Sequence, residues 1–411
     1  MSVEYLPVGI SCNLKCTYCY QEPMRDAGNI TSPIDWSKAQ AQLEKEHGDF
    51  VVFGGEPLLA GIPHLREVFE FGLRKFGRNS IQTNGTLITD EHIKLFTEFN
   101  VGVGISIDGP GELNSHRHGN SVLSTDEGTR RTQWAIQELC AQGRPPGLIV
   151  TIHDGNAGTS AKILKMLAWF RELESMGITW VNLHVLEDEP NVHGLALTNE
   201  RMLFAFTTIY EWSKDRKVEF QPFADIYRLL LQSDVNKVSC IWNNCDPQTT
   251  AAVHGISPDG TRSNCGRTNK DGVNWVKADT PGFERYLALY HTPQKFGGCA
   301  ECRFFSLCRG QCPGTAIDKD WRNRTVHCEF WFGLFSRIES ELGNRSVTSD
   351  PSRLRALEKN LLHNLAGERT ENGHGDSPHG DSHGDSDHGD SHGDHNDTPV
   401  SWVKDRHEAR L

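Results

Sequence analysis

Cys12, Cys16 and Cys19 stand in the run Cys12-Asn13-Leu14-Lys15-Cys16-Thr17-Tyr18-Cys19, with gaps of three and two residues. Thiolates that close together in one loop can hold three irons of a cubic iron–sulfur cluster and leave the fourth iron without a protein ligand. A small molecule can bind that open iron, so the cluster can do chemistry rather than only carry electrons. A zinc knuckle is the competing reading, because Cys-x2-Cys pairs also bind zinc. Zinc sites recruit a second Cys or His pair about fifteen residues on, and the next histidine here is His47.

Eight more cysteines form a second system. Fourteen residues separate Cys245 from Gly260 and four separate Gly260 from Cys265. Cys299, Cys302, Cys308 and Cys312 follow with gaps of two, five and three, and Cys328 closes the series. Cys240, just upstream, supplies the eighth thiol, enough to ligate two four-iron clusters fully. Two four-cysteine zinc sites are the alternative. Cys140, in the amphipathic stretch 129–142, reads as a buried core thiol.

The elements around these residues alternate. Short apolar runs at 4–10, 50–53, 80–83, 101–107, 147–152 and 179–186 read as strands. Helical periodicity at 37–47, 64–76, 90–99, 127–142 and 160–176 falls between them. Strand–helix alternation predicts a parallel α/β architecture, here six units. Function in such folds gathers at the C-terminal ends of the strands. The cysteine loop, Gly54-Gly55-Glu56-Pro57, Asn84-Gly85 and Asp108-Gly109-Pro110 each follow a strand directly, so they should share one rim.

The cysteine loop, with the aromatic Tyr18 just before its third cysteine, resembles that of the radical S-adenosylmethionine (SAM) enzymes. The resemblance implies a partial (β/α)6 barrel, a SAM-binding [4Fe-4S] cluster on Cys12, Cys16 and Cys19, and SAM as cofactor. In that family a motif like Gly54-Gly55-Glu56-Pro57 offers backbone polar groups, and often its Glu, to the amino group of the methionine moiety. Glycines allow such close backbone approach, which a Cβ would prevent. Gln82-Thr83-Asn84-Gly85 and Ser106-Ile107-Asp108-Gly109 sit where the family places residues near SAM and substrate, with Ser106 toward the ribose. Turn chemistry alone also favours Asn-Gly and Asp-Gly. The implied chemistry is reductive cleavage of SAM to methionine and a 5′-deoxyadenosyl radical, which abstracts hydrogen from an unactivated C–H.

The second cysteine system resembles the SPASM domain of peptide-maturing radical SAM enzymes. By that resemblance Cys240, Cys245, Cys265 and Cys312 hold one auxiliary [4Fe-4S] cluster, and Cys299, Cys302, Cys308 and Cys328 hold the other. Cys308-x3-Cys312-Pro313 also resembles the close of a bacterial ferredoxin motif, whose last cysteine crosses to the other cluster.

Length and composition bound the rest. At 411 residues the chain predicts two domains plus an appendage. The expected division is a barrel at 1–200, a bridging helical segment at 201–238 and a SPASM domain at 239–340. A helix or linker follows at 341–366, and a disordered tail at 367–411. That tail is built of Gly, Asp, Ser and His with five His-Gly-Asp repeats, a composition that cannot offset its ordering entropy. It reads as a solubilising tail, with transition-metal binding by its histidines and a mimic of substrate as further readings. The absence of a signal peptide or apolar span predicts a cytoplasmic protein with no membrane partner. A net charge of −12 argues against nucleic acid.

Members of the resembled family modify peptides, so the expected partners are a precursor peptide and a one-electron reductant of the flavodoxin or ferredoxin type. Anaerobic sulfatase maturases place an Asp, the general base, directly after the cysteine matching Cys265. Here that residue is Gly266, and Asp271 lies five residues further. This departure favours an enzyme that installs an intramolecular cross-link, carbon–carbon or thioether, in a ribosomally made peptide. A sulfatase maturase or a peptide epimerase on the same scaffold is the alternative, and an iron–sulfur or metal carrier is the non-enzyme one. With the first strand so near residue 1, the leader peptide is expected to dock on the barrel, on the SPASM surface or on a separate leader-binding protein.

Overall fold

The computed structural model describes residues 2–28, 32–186, 192, 194–243, 245–246, 253–263, 265–268 and 284–365. The tail from 367 and Asp271 lie outside the described residues. Nine strands form one sheet: β1 (Ser2–Tyr5), β2 (Asp49–Val52), β3 (Asn79–Thr83), β4 (Val101–Ser106), β5 (Gly147–Ile152), β6 (Trp180–Val185), β7 (Glu219–Gln221), β8 (Val253–Ile256) and β9 (Arg262–Ser263). Their spatial order is β7-β6-β5-β4-β3-β2-β1-β8-β9, and every neighbouring pair is parallel except β8 with β9. Strand–helix alternation produces this order, since each helix returns the chain to start the next parallel strand.

The expected strands two to six lie within a residue or two of their places, but three features differ. The first strand ends at Tyr5 rather than residue 10, because residues 6–10 turn back through Gly9 N to Leu6 O and Ser11 N to Val8 O. The bridging segment is not only helical, for it contains β7 between the helices Asn199–Ser213 and Phe223–Leu231. The sheet also exceeds six strands, with β8 and β9 arriving from the cysteine-rich region to pair along β1.

Helices flank the sheet and bury one face each. Ile62–Phe76 turns Leu65, Val68 and Phe69 inward, and stops where Gly77 takes a left-handed conformation. Ser160–Ser175 starts where the Thr159 hydroxyl accepts from Lys162 N, and buries Ile163, Met166, Phe170 and Leu173. Strand side chains such as Val52, Ile81, Ile105, Val150 and Val181 complete one continuous core. Beyond the sheet, helix Cys328–Leu342 packs on helix Asn199–Ser213, with the Phe206 and Phe330 rings 4.8 Å apart. Cys140 is half-buried and packs against the main core rather than within it. Among the described residues no helix is long and apolar enough to cross a membrane.

Candidate active site

The cysteine loop leaves β1 and is held from several sides. Lys15 N and Thr17 N donate to His118 O (2.9 Å) and His116 O (3.0 Å), so the loop after β4 grips it like a short strand partner. Arg25 Nη1 donates to Ile10 O (2.8 Å) and Nη2 lies 3.3 Å from Cys19 Sγ. Leu14 N lies 3.4 Å from Cys12 Sγ. Burial pushes the Cys16 thiol up to about 12, against the pull of the Arg117 cation nearby. Thiolates there need compensating positive charge, and Arg25 and Arg117 are of the right sign to supply it.

Gly54 and Gly55 serve the loop before they serve any ligand. Gly55 N and Glu56 N each donate 2.8 Å bonds, to Gly9 O and Ser11 O. A Cβ on Gly55 would stand 2.1 Å from Ser11 O, and one on Gly54 2.5 Å from Gly9 O. Glu56 is fully buried, its carboxylate accepting from Leu58 N (3.1 Å), Thr83 Oγ1 (2.7 Å) and Asn84 N (2.8 Å). Burial lifts its pKa to about 7 even so. Glu56 thus ties the β2 loop to the β3 loop, and Pro57 is buried behind it. Asn84 Nδ2 continues to Asn13 Oδ1 (2.9 Å), which links this knot to the cysteine loop.

Tyr18 reaches the end of β4, where its hydroxyl donates to Asp108 Oδ2. Asp108 is fully buried and also faces Arg117 Nε (3.2 Å), His153 Nε2 (3.4 Å) and Thr151 N (3.0 Å). Burial alone would raise its pKa, but Arg117 and His153 hold the carboxylate well below the usual range. Arg117 also lies over the Tyr18 ring, 5.7 Å from its centroid. Ser106 Oγ accepts from Gln82 Nε2 (2.9 Å) on the neighbouring strand.

These loops open on one cavity of about 390 Å3, within the range that takes a small-molecule ligand. Cys12, Cys16, Cys19, Tyr18, Gly54, Gly55 and Ser106 line it, together with Cys240, Cys265 and Cys312. Cys240 is open to the cavity but hemmed in by protein, which pushes its thiol up to about 11. Cys240, Cys265 and Cys312 influence one another electrostatically, as do Cys299, Cys302, Cys308 and Cys328. Cys245 faces the same buried cation as Cys312, that of Arg285. Among the described residues no three Cys, His, Asp or Glu side chains converge closely enough for a single metal ion.

Comparison with known proteins agrees with this geometry. Residues 6–190 match the radical SAM superfamily. The chain is 35% identical over 351 residues to the serine-type anaerobic sulfatase-maturating enzyme of Bacteroides thetaiotaomicron, covering 75% of this chain and 81% of that protein. The chain belongs to the radical SAM superfamily. Among solved structures, native anSMEcpe with bound AdoMet and the Cp18Cys peptide superposes with a TM-score of 0.63 at 18% identity, over 88% of this chain and 99% of that one. Streptococcus suis SuiB shares the fold with a TM-score of 0.50 at 16% identity, over 79% and 76% of the two chains.

In this radical SAM enzyme, sequence reasoning missed the residues that support the ligands rather than supply them. Asp108 and His153 look like turn residues in sequence, and only the meeting of the β4 and β5 ends makes them a network. Trp242, fully buried between Cys240 and Cys245, donates its Nε1 proton to Asp225 Oδ2 (3.0 Å). An aromatic flanked by spaced cysteines was the available signal. Arg285 had none, because a helical arginine ordinarily faces water.

Proposed function

We propose that this radical SAM enzyme oxidises a side-chain β-carbon in a peptide, in the manner of the sulfatase-maturating enzymes it resembles over most of its length. The observation that carries the reading is the cavity that the first three cysteines line together with Cys240, Cys265 and Cys312. Cys12, Cys16 and Cys19 would hold the SAM-binding [4Fe-4S] cluster. The donor set fits, since three thiols face the cavity beside Arg25 and Arg117. The eight later cysteines fall into two groups that suit two further [4Fe-4S] clusters. When bound, SAM and its cluster supply a carbon-centred radical that removes one hydrogen atom from the substrate.

The chain's own residues do the rest. Gly54, Gly55, Gln82 and Ser106 line the cavity, where the two glycines would present backbone to the methionine end of SAM and Ser106 with Gln82 would border its ribose. Asn182, His184, Gln221 and Trp331 line the part of the cavity left for a peptide side chain. Completing the oxidation requires the substrate radical to lose one electron and one proton. Cys240, Cys265 and Cys312 stand where an auxiliary cluster would receive the electron, on its way to an external carrier protein.

A cross-link is the second reading, and position 266 favours it. A Cβ at Gly266 would come within 2.9 Å of the Tyr20 ring and hydroxyl. Tyr20 therefore fills the place of the maturases' aspartate, and a carboxylate enters only if Tyr20 moves. For the maturase-type reaction, the candidate proton acceptors among the described residues that line the cavity are Glu4, His184 and His327. Mass spectrometry of a co-expressed substrate peptide separates the two. The expected product is a carbonyl, trapped by hydrazide, formed directly at a single Ser, or at a single Cys once water has hydrolysed the thioaldehyde and released hydrogen sulfide. Loss of two hydrogens with no carbonyl, and fragments joined across two residues, would overturn it in favour of the cross-link.

A further inference from the structure

Arg285 is a fully buried arginine on the helix Glu284–His291. Among the described residues it meets no carboxylate, and its guanidinium donates only to backbone carbonyls. Nε donates to Trp321 O (2.7 Å), Nη1 to Arg309 O (3.3 Å) and Cys245 O (3.5 Å), and Nη2 to Gly310 O (3.2 Å) and Asn323 O (3.3 Å). These acceptors are not scattered. One is a cysteine of the first auxiliary set, two lie between Cys308 and Cys312, and two lie between Cys312 and Cys328. One helical turn further along, Leu289 O accepts from Cys299 N (2.7 Å). Gly310 is shaped to this arrangement, for it holds φ +75°, and a Cβ there would stand 2.5 Å from Leu289 Cδ1 and 3.4 Å from Arg285 Nη2.

Carbonyl dipoles solvate a guanidinium but do not neutralise it, and an uncompensated buried charge is strongly unfavourable. Arginine does not escape by losing its proton. Burial works against its cationic form, and the groups whose anionic form would offset that are cysteines of both sets, Cys312 and Cys245 of one and Cys299 and Cys308 of the other. We infer that Arg285 is the shared counter-ion of the two auxiliary cysteine sets and makes both of their clusters easier to reduce. Net charge and hydrogen bonding around a cluster set its reduction potential. A fixed cation between the two sets favours the more negative, reduced form of each. The inference rests on the reading of these eight cysteines as ligands of two four-iron clusters.

The test uses the full chain with Cys12, Cys16 and Cys19 changed to Ala, so that only auxiliary clusters remain. Iron content and midpoint potentials, followed by electron paramagnetic resonance, are compared with Arg285 intact, in Arg285→Lys and in Arg285→Gln. The expected result is that Arg285→Gln keeps its iron and both auxiliary transitions move to more negative potential, whereas Arg285→Lys stays near the parent. Full iron with unmoved potentials in Arg285→Gln would overturn the inference. If Arg285→Gln loses iron, retention with parental potentials in Arg285→Lys supports a need for charge. Loss of iron in both variants reduces Arg285 to a scaffold and overturns the redox role. A parent protein without auxiliary iron would instead overturn the two-cluster reading on which the inference stands.

Discussion

At the scale of single residues, the site depends on buried groups behind the residues that line its cavity. Glu56 has a folded pKa raised to about 7 by burial, above its ordinary value. A raised folded pKa contributes stability that is present below the unfolded value of about 4.3 and is lost as pH rises through the folded one. The unfolding free energy of the wild type should therefore fall between about pH 4.3 and 7 by more than that of Glu56→Gln, which carries no titratable group there. Parallel denaturant titrations across that range check the slope, and equal slopes would show that Glu56 ionises freely. Asp108 works in the opposite sense, as a permanent anion among Arg117, His153 and Tyr18. Asp108→Asn leaves the Arg117 cation without its buried partner and should cost about 3–5 kcal/mol of stability at neutral pH. Chemical denaturation measures this, and a cost below about 1 kcal/mol would mean the pair is solvated as a surface pair is.

At the scale of elements, Trp242 joins three of them. Its ring meets Trp331 at 5.2 Å and Phe335 at 5.5 Å on helix Cys328–Leu342, while its Nε1 reaches Asp225 on helix Phe223–Leu231. Helix Cys328–Leu342 carries a ligand candidate of the second auxiliary set, Cys328, as its first residue. Trp242→Ala should cost about 3–5 kcal/mol, and it should also lower auxiliary iron, because the Cys240–Trp242 turn and the start of helix Cys328–Leu342 lose their common packing. Thermal unfolding and iron analysis of the purified variant read both effects. Destabilisation with full iron would show that the ligand loops hold their shape without the tryptophan.

For the molecule as a whole, the prediction is one of stoichiometry. Anaerobically reconstituted chain should bind about twelve irons, and the variant with Cys12, Cys16 and Cys19 changed to Ala about eight. Dithionite-reduced wild type should release 5′-deoxyadenosine from SAM and the triple variant none. Stoichiometric zinc in a colourless protein, or unchanged SAM cleavage by the triple variant, would overturn the cofactor assignment.

Much of this was readable in the residues themselves. The spacing of Cys12, Cys16 and Cys19 is a local property, since one loop must hold all three, and strand–helix periodicity follows from which positions shed water. Those two facts place the cysteines, Gly54-Gly55, Asn84 and Asp108 on one rim before any fold is seen. What tertiary structure decided is which distant groups meet. β8 returns from residue 253 to pair with β1, and Cys240 and Cys265 line the same cavity as Cys12. Gly54 and Gly55 are demanded by the backbone of residues 9–11 pressed against them, a contact that no local pattern contains. The fit of Tyr20 over Gly266 and the burial of Arg285 among backbone carbonyls depend on packing between segments that are not neighbours in sequence. Pairwise spacing along the chain carries no record of such contacts, because they are fixed by the shared exclusion of water from a common core.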